Sequence, residues 1–441
     1  MSHPHRARRP RRSLAACLAI VVTLLVAACG STAPSASPSP APSASASAVP
    51  SVGPSASATP APSAGVDADA IYDTIEAQVA EIRGLSASQK VDRQIISEDE
   101  LRAMLTEQFD AETPPEYLAA NERLYKALGL IPADASLRDL TLDLLGGGVV
   151  GFYRDDQRKL YVVSKTGEPG GNERFYFAHE YDHALQDQNF TVFKDQDGVL
   201  DQGDRILARQ AIYEGDATLL MTYWAAANLT PAQLLELVAA STDPDINAVL
   251  ERTPAILRAP LEFPYSTGFG YVRAANATGG WDAVNDFYDR MPESTEQILH
   301  PEKYAAAEAP VKVDMPSDVA TQLGQGWTVQ TEDTFGEFQL GIWLREGGVA
   351  EATAKAAAAG WGGDRLAVVQ GPNGAWGVVI HTVWDSTAEA SEFLDAVQPV
   401  VDKLPDPARI SAPGGEDVTI MIASDDEALL ALDIIFGATG V

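Results

Sequence analysis

The sequence predicts an α+β fold, a mainly helical core with a small β-hairpin followed by a C-terminal α+β domain, and three observations lead there. From Asp67 onward, capped segments with apolar residues at helical spacing dominate. Two short runs rich in Val, Tyr and Phe, over 149–153 and 160–163, flank the polar stretch 154–158 and read as a hairpin. Beyond about Val311, strand-like and helix-like stretches alternate. The boundaries that follow are a core domain over 67–310 and an accessory domain over 311–441.

The first 66 residues are not material for a packed core. Arg6, Arg8, Arg9, Arg11 and Arg12 precede an apolar stretch over 14–28 that meets Cys29, the pattern of a signal peptide over 1–28. Leu25-Val26-Ala27-Ala28-Cys29 is similar to a bacterial lipobox, which makes Cys29 the expected site of lipidation. The expectation is an exported lipoprotein anchored to the outer face of the cytoplasmic membrane. Residues 31–65 are almost wholly Ser, Pro and Ala without a charge, so 29–66 reads as a disordered tether. Cys17 leaves with the signal and Cys29 takes the lipid, so no thiol remains for a disulfide or for a metal.

Ser97 and Glu100 form a capping box ahead of an apolar helical run. Thr113-Pro114-Pro115-Glu116 opens a helix that runs to Gly129. Gly146, Gly147 and Gly148 lead into the hairpin, and two long helices follow, over roughly 175–189 and around Glu214. More helix covers 279–288. In the second region, strands over 365–369 and 376–383 flank a Pro372-Asn373-Gly374 turn, helices lie near 349–359 and 387–404, and 418–422 is a further strand. His381 alternates with apolar residues on its strand and reads as structural.

The most specific signal is His179-Glu180-Tyr181-Asp182-His183. Residues four apart in an α-helix differ by about 40° and roughly 6 Å of rise, so both imidazoles point the same way and can grip one zinc ion. Glu180, one step round the helix, can accept a proton from water at the open coordination position. The bland alternative is an amphipathic helix whose histidines merely share a face. Catalytic zinc takes three protein ligands, and Glu214 is the best third candidate. It stands 31 residues after His183, on a second helix, with Leu207, Gln210, Ala211, Ala217, Thr218 and Met221 at helical spacing around it, a largely apolar face. A carboxylate on that apolar face calls for a cation; pairing with Arg205 or Arg209 is the competing reading. Asp187 and Asp216 are candidates to hold an imidazole N–H, or else solvated helix carboxylates. His300 or Tyr265 could donate to an oxyanion, although a histidine before a proline is more often structural. Asp195, Asp197, Asp201 and Asp204 crowd the intervening loop, but without EF-hand spacing a solvated acidic loop is favoured over calcium.

HExxH on one helix with a downstream Glu on another resembles the Glu-zincin, or thermolysin-like, metallopeptidases. The longer strings FAHEYDHALQDQ, EGDAT and STEQILHPEKY resemble a set of uncharacterised bacterial secreted or lipoprotein members of that class, from about Asp67 to the C-terminus. The resemblance implies a zincin-like core, zinc held by His179, His183 and Glu214, Glu180 as base, and an edge strand upstream of the metal helix that pairs with an extended substrate. Thr218 stands where the thermolysin-type pattern carries an Asp.

The chain carries 31 basic and 62 acidic residues, net −31, and the five arginines before Cys29 leave the remainder more negative still. Nucleic acid is excluded as a partner, and docking on anionic headgroups by charge is disfavoured, leaving the acyl anchor for the membrane. The function expected is zinc-dependent hydrolysis of peptide bonds in a protein or peptide substrate. A non-catalytic envelope lipoprotein with a structural or vestigial zinc site is the rival, and hydrolysis of a non-peptide amide would use the same residues.

Overall fold

The computed structural model describes residues 67–145, 151–164, 169–190, 192, 199 and 201–437. The signal peptide, Cys29, the tether, the triple glycine at 146–148, and Asp195 and Asp197 lie outside the described residues.

Helix α1 (Ala68–Arg83) is capped by Asp67 and ends at Gly84 in the left-handed conformation. Strand β1 (Asp92–Ile96) precedes α2 (Glu98–Glu112), whose Ser97–Glu100 capping box forms as the sequence predicts. Helices α3 (Pro115–Ala127) and α4 (Leu137–Leu145) follow. Strands β2 (Gly151–Arg154) and β3 (Lys159–Val163) make the hairpin. Strand β1, absent from the sequence reading, pairs in parallel with β3, so the small sheet has the order β1-β3-β2 and β2 is an edge.

The long helices α5 (Gly171–Phe190) and α6 (Gly203–Asn228) carry the predicted metal motif. From Phe175 to Gln186 every residue of α5 except Glu180 is buried, and so is every residue of α6 from Ile206 to Met221. Helices buried all round lose the one-sided apolar stripe, and their polar side chains must find partners inside the protein. Around them lie α7 (Pro231–Ser241), α8 (Pro244–Arg252), α9 (Ala255–Phe263), a single π-helical turn (Pro264–Gly268) and α10 (Phe269–Asp289). Short helices α11 (Thr295–Leu299) and α12 (Pro301–Ala305) close this part.

The rest of the chain runs α13 (Val319–Leu323), β4 (Thr328–Asp333), α14 (Gly336–Glu346), α15 (Glu351–Ala358), β5 (Trp361–Gln370), β6 (Trp376–Trp384), α16 (Thr387–Val401), β7 (Ala408–Ser411), β8 (Asp417–Ala423) and α17 (Asp426–Phe436). The five strands form one antiparallel sheet, β4-β5-β6-β8-β7. The molecule is therefore α+β. One apolar core joins both parts: Phe109, Leu124, Leu128 and Leu257 pack in the same cluster as Trp343, Trp361, Leu366 and Trp384. The position near residue 310 where the sequence suggests a boundary is crossed by this core. No helix among the described residues is long and apolar enough to cross a membrane.

Candidate metal centre

His179 Nε2, His183 Nε2 and Glu214 Oε2 converge in the contact between α5 and α6. His179 Nε2 is 3.1 Å from Glu214 Oε2, His183 Nε2 is 3.3 Å from it, and the two imidazole nitrogens are 3.0 Å apart. Ligands about 2.0–2.1 Å from a tetrahedral zinc stand roughly 3.3 Å from one another, close to this triangle. The residues are 2%, 7% and 2% exposed, so water contributes little to stabilising charge there. Glu214 turns to the imidazoles, and the competing pairing with Arg205 or Arg209 is not what the structure adopts.

The electrostatics fit a cation at the centre of that triangle. Burial pushes the Glu214 carboxyl up, but the facing His183 and His179 outweigh it and hold it down at about 2. Burial opposes charge on His183, yet Glu214 raises it to about 10, whereas burial and His183 push His179 down. The space between these atoms is built for positive charge, a proton or a divalent ion.

Glu180 is the one residue of the motif's turn that keeps exposure, and its Oε2 accepts from the Tyr153 backbone N–H at 2.9 Å. Strand β2 is an edge of the described sheet, and this amide is bonded to Glu180. A Cβ on Gly151 would crowd the Tyr161 carbonyl at 3.0 Å and stand in ordinary contact with Glu180 Cγ at 3.7 Å. Burial, with the Glu214 charge, raises the Glu180 carboxyl to about 8 against the pull of His183 and the Tyr153 amide. The Tyr153 phenol donates to Asp187 at 2.9 Å.

Tyr265 reaches the centre from the π-helical turn, with its ring centroid 6.1 Å from that of His179 and its phenol interacting with Glu214. π-Helical turns inside α-helical segments recur at functional sites. Two glycines let that turn approach α6. A Cβ on Gly268 would lie 2.3 Å from the Ala211 carbonyl oxygen, and one on Gly215 would lie 2.7 Å from the Gly268 carbonyl. Gly215 follows Glu214 in Glu-Gly-Asp-Ala-Thr, which gives that motif a packing reason.

Three sequence expectations are corrected. His300 is not at the centre: its Nε2 bonds Glu337 at 3.0 Å and its Nδ1 lies 3.7 Å from Glu302, because α11 and α12 pack on α14. Asp216 holds no imidazole; its two oxygens accept from Arg83 Nε and Nη2 at 2.9 Å each, and one accepts from the Tyr288 phenol at 2.6 Å. The Nδ1 of His183 goes to Gln186 Oε1 at 3.0 Å, a residue sequence reasoning passed over, while Asp187 receives the Tyr153 phenol. Gln186 lies three residues after His183, so helical spacing alone could have nominated it.

Of the four loop acids, two lie among the described residues. Asp201 accepts from Arg365, and Asp204 from Thr295. Glu296, Glu308 and Asp385 come close enough to share an ion, but the Lys303 ammonium already sits among them, 2.6 Å from Glu296 and 2.9 Å from Glu308. His381 pairs with Asp417 across β6 and β8, the structural role its strand position implies.

A family model described as a domain of unknown function, DUF8575, matches residues 324–432. No curated protein matches the chain. A crystal structure from Chloroflexus aurantiacus, described as that of a candidate hydrolase with a novel fold, is similar at 16% identity and a TM-score of 0.34, over 56% of this chain and 92% of that one.

Proposed function

We propose that this protein is a zinc-dependent hydrolase of peptide bonds, built on a zincin-like helix pair and carried on an exported, lipid-anchored chain. The observation that supports the reading best is the convergence of His179, His183 and Glu214 within 4.8 Å with Glu180 beside them. Two imidazole nitrogens and one carboxylate suit zinc, whose catalytic sites take three protein ligands and leave the fourth position to water. A zinc ion held there supplies Lewis acidity and lowers the pKa of water toward neutrality.

The chain's own residues do the rest. Glu180 accepts the proton from the attacking water and passes it to the leaving amine. A carboxyl raised toward neutrality is suited to both steps. Tyr265, whose phenol is held protonated by burial and by the Glu214 charge, can donate to the developing oxyanion. The edge of β2, adjacent to Glu180, offers main-chain groups to an extended substrate.

The rival, a binding module with a structural zinc, draws on one observation: the Tyr153 amide gives Glu180 a purely structural partner. Glu180→Gln separates the two. Acting on casein or a peptide library, wild type should lose turnover with a chelator, and the variant should retain its metal while turning over about 100- to 10,000-fold more slowly. Equal behaviour of the two proteins across a wide substrate panel would overturn the enzyme reading.

A further inference from the structure

Behind the three ligands lies a buried polar string that the proposed chemistry does not use. Gln186 is fully buried, and its amide makes three bonds: Oε1 to His183 Nδ1, and Nε2 to both Asp182 Oδ2 and the Tyr213 carbonyl, each at 3.0 Å. Because two acceptors face the same amide nitrogen, the oxygen must be the atom turned to His183. His183 then carries a hydrogen on Nδ1 and turns its Nε2 to Glu214 and His179. Tyr213 immediately precedes Glu214, so the same amide that orients one ligand also fixes the backbone beside another.

The string continues outward. Asp182, fully buried inside the HExxH turn, has its second oxygen 4.0 Å from Arg83 Nε. Arg83 forks onto Asp216, and its guanidinium lies 4.6 Å from the Trp281 ring centroid. A buried amide left to itself could rotate; here an aspartate, an arginine and a second aspartate, from α5, α1 and α6, hold its nitrogen end in place.

We infer that Gln186 is the positioning residue of the metal centre, its amide fixing the His183 tautomer and the α6 backbone at Glu214, with Asp182, Arg83 and Asp216 locking that amide from behind. The inference rests on the proposed zinc site and adds to it how affinity is set. Outer partners of ligating histidines typically change metal affinity by about 10- to 100-fold.

The test is zinc affinity of the full-length chain, measured by competition with a chromophoric chelator, for wild type, Gln186→Met, Asp182→Asn and the core truncation Ile75→Ala. Gln186→Met should bind zinc about 10- to 100-fold more weakly, Asp182→Asn less severely so, and Ile75→Ala like wild type. Wild-type affinity in folded Gln186→Met, or an equal loss in Ile75→Ala, would overturn the positioning role. Wild type whose zinc does not depend on His179, His183 and Glu214 would overturn the site itself. Nitrogen-15 spectra of zinc-loaded wild type, with only four histidines beyond residue 66, give a second reading that no variant's folding can spoil. His183 should appear with hydrogen on Nδ1, and the opposite tautomer would overturn the inference.

Discussion

The buried guanidinium of Arg83 faces two carboxylates from two different helices. Removing one partner of such a group leaves uncompensated charge in a medium that solvates it poorly, which typically costs about 3–5 kcal/mol. Arg83→Met should therefore lower the free energy of unfolding by that order in urea titrations, and an unchanged midpoint would contradict the description of the string. This residue also shows where the sequence stops being legible. His179, Glu180 and His183 could be read because their spacing within one helix is their chemistry. Glu214 could be read because an acid on an apolar face demands a counter-charge. Arg83 and Asp216 are 133 positions apart, and nothing local in either marks the other. The sequence left His300 between an oxyanion donor and a structural histidine for the same reason, since the partner that decides it, Glu337, lies 37 residues on and belongs to α14.

The elements that sequence reasoning placed and those it missed divide by their position in a sheet. Strands β3, β5, β6 and β8 are interior and apolar, and they were readable. Strands β1, β4 and β7 are edges with polar, solvent-facing residues, such as Thr328-Val-Gln-Thr-Glu-Asp333, and their pairing partner alone makes them strands. Strand β2 escaped that fate because its hairpin turn is local. At the level of helix contacts, the π-helical turn approaches α6 so closely that only glycine fits at 268. Gly268→Ala should shift the turn, cost about 1–3 kcal/mol as an overpacked contact, and displace Tyr265 from Glu214. Gly270→Ala, two residues on, meets nothing within 4 Å and gains helix propensity, so its stability should rise by up to about 1 kcal/mol. Thermal unfolding of the pair checks both, and equal midpoints would refute the packing argument.

For the molecule as a whole, the two parts share a core and are tied by polar bonds, one buried within that core and others at its edge. Trp343 Nε1 donates to the Leu128 carbonyl at 3.1 Å, and Lys303 joins Glu296 and Glu308 to Asp385. A chain ended at residue 310 would expose the Phe109, Leu124 and Leu257 side of that core. It should bind ANS and lose its cooperative thermal transition; a sharp transition would show that the helical part stands alone. The same junction carries a pH dependence. His300 faces Glu337 of α14, Glu302 of α12 and Glu296 of α11, and the hydrogen bond to Glu337 raises its imidazole above the ordinary value, against partial burial. Folded protein thus binds this proton more tightly than unfolded protein does. The stabilisation is complete below the ordinary histidine pKa of about 6.5 and fades as pH climbs through the higher folded value. Glu337 is itself raised, by burial first, so the acid side of the pair does not reverse the trend above neutrality. Urea unfolding of wild type should show stability falling from about pH 6.5 upward by more than in His300→Gln, where this component is missing. Parallel curves for the two proteins across that range would mean that the His300–Glu337 bond does not couple proton binding to folding.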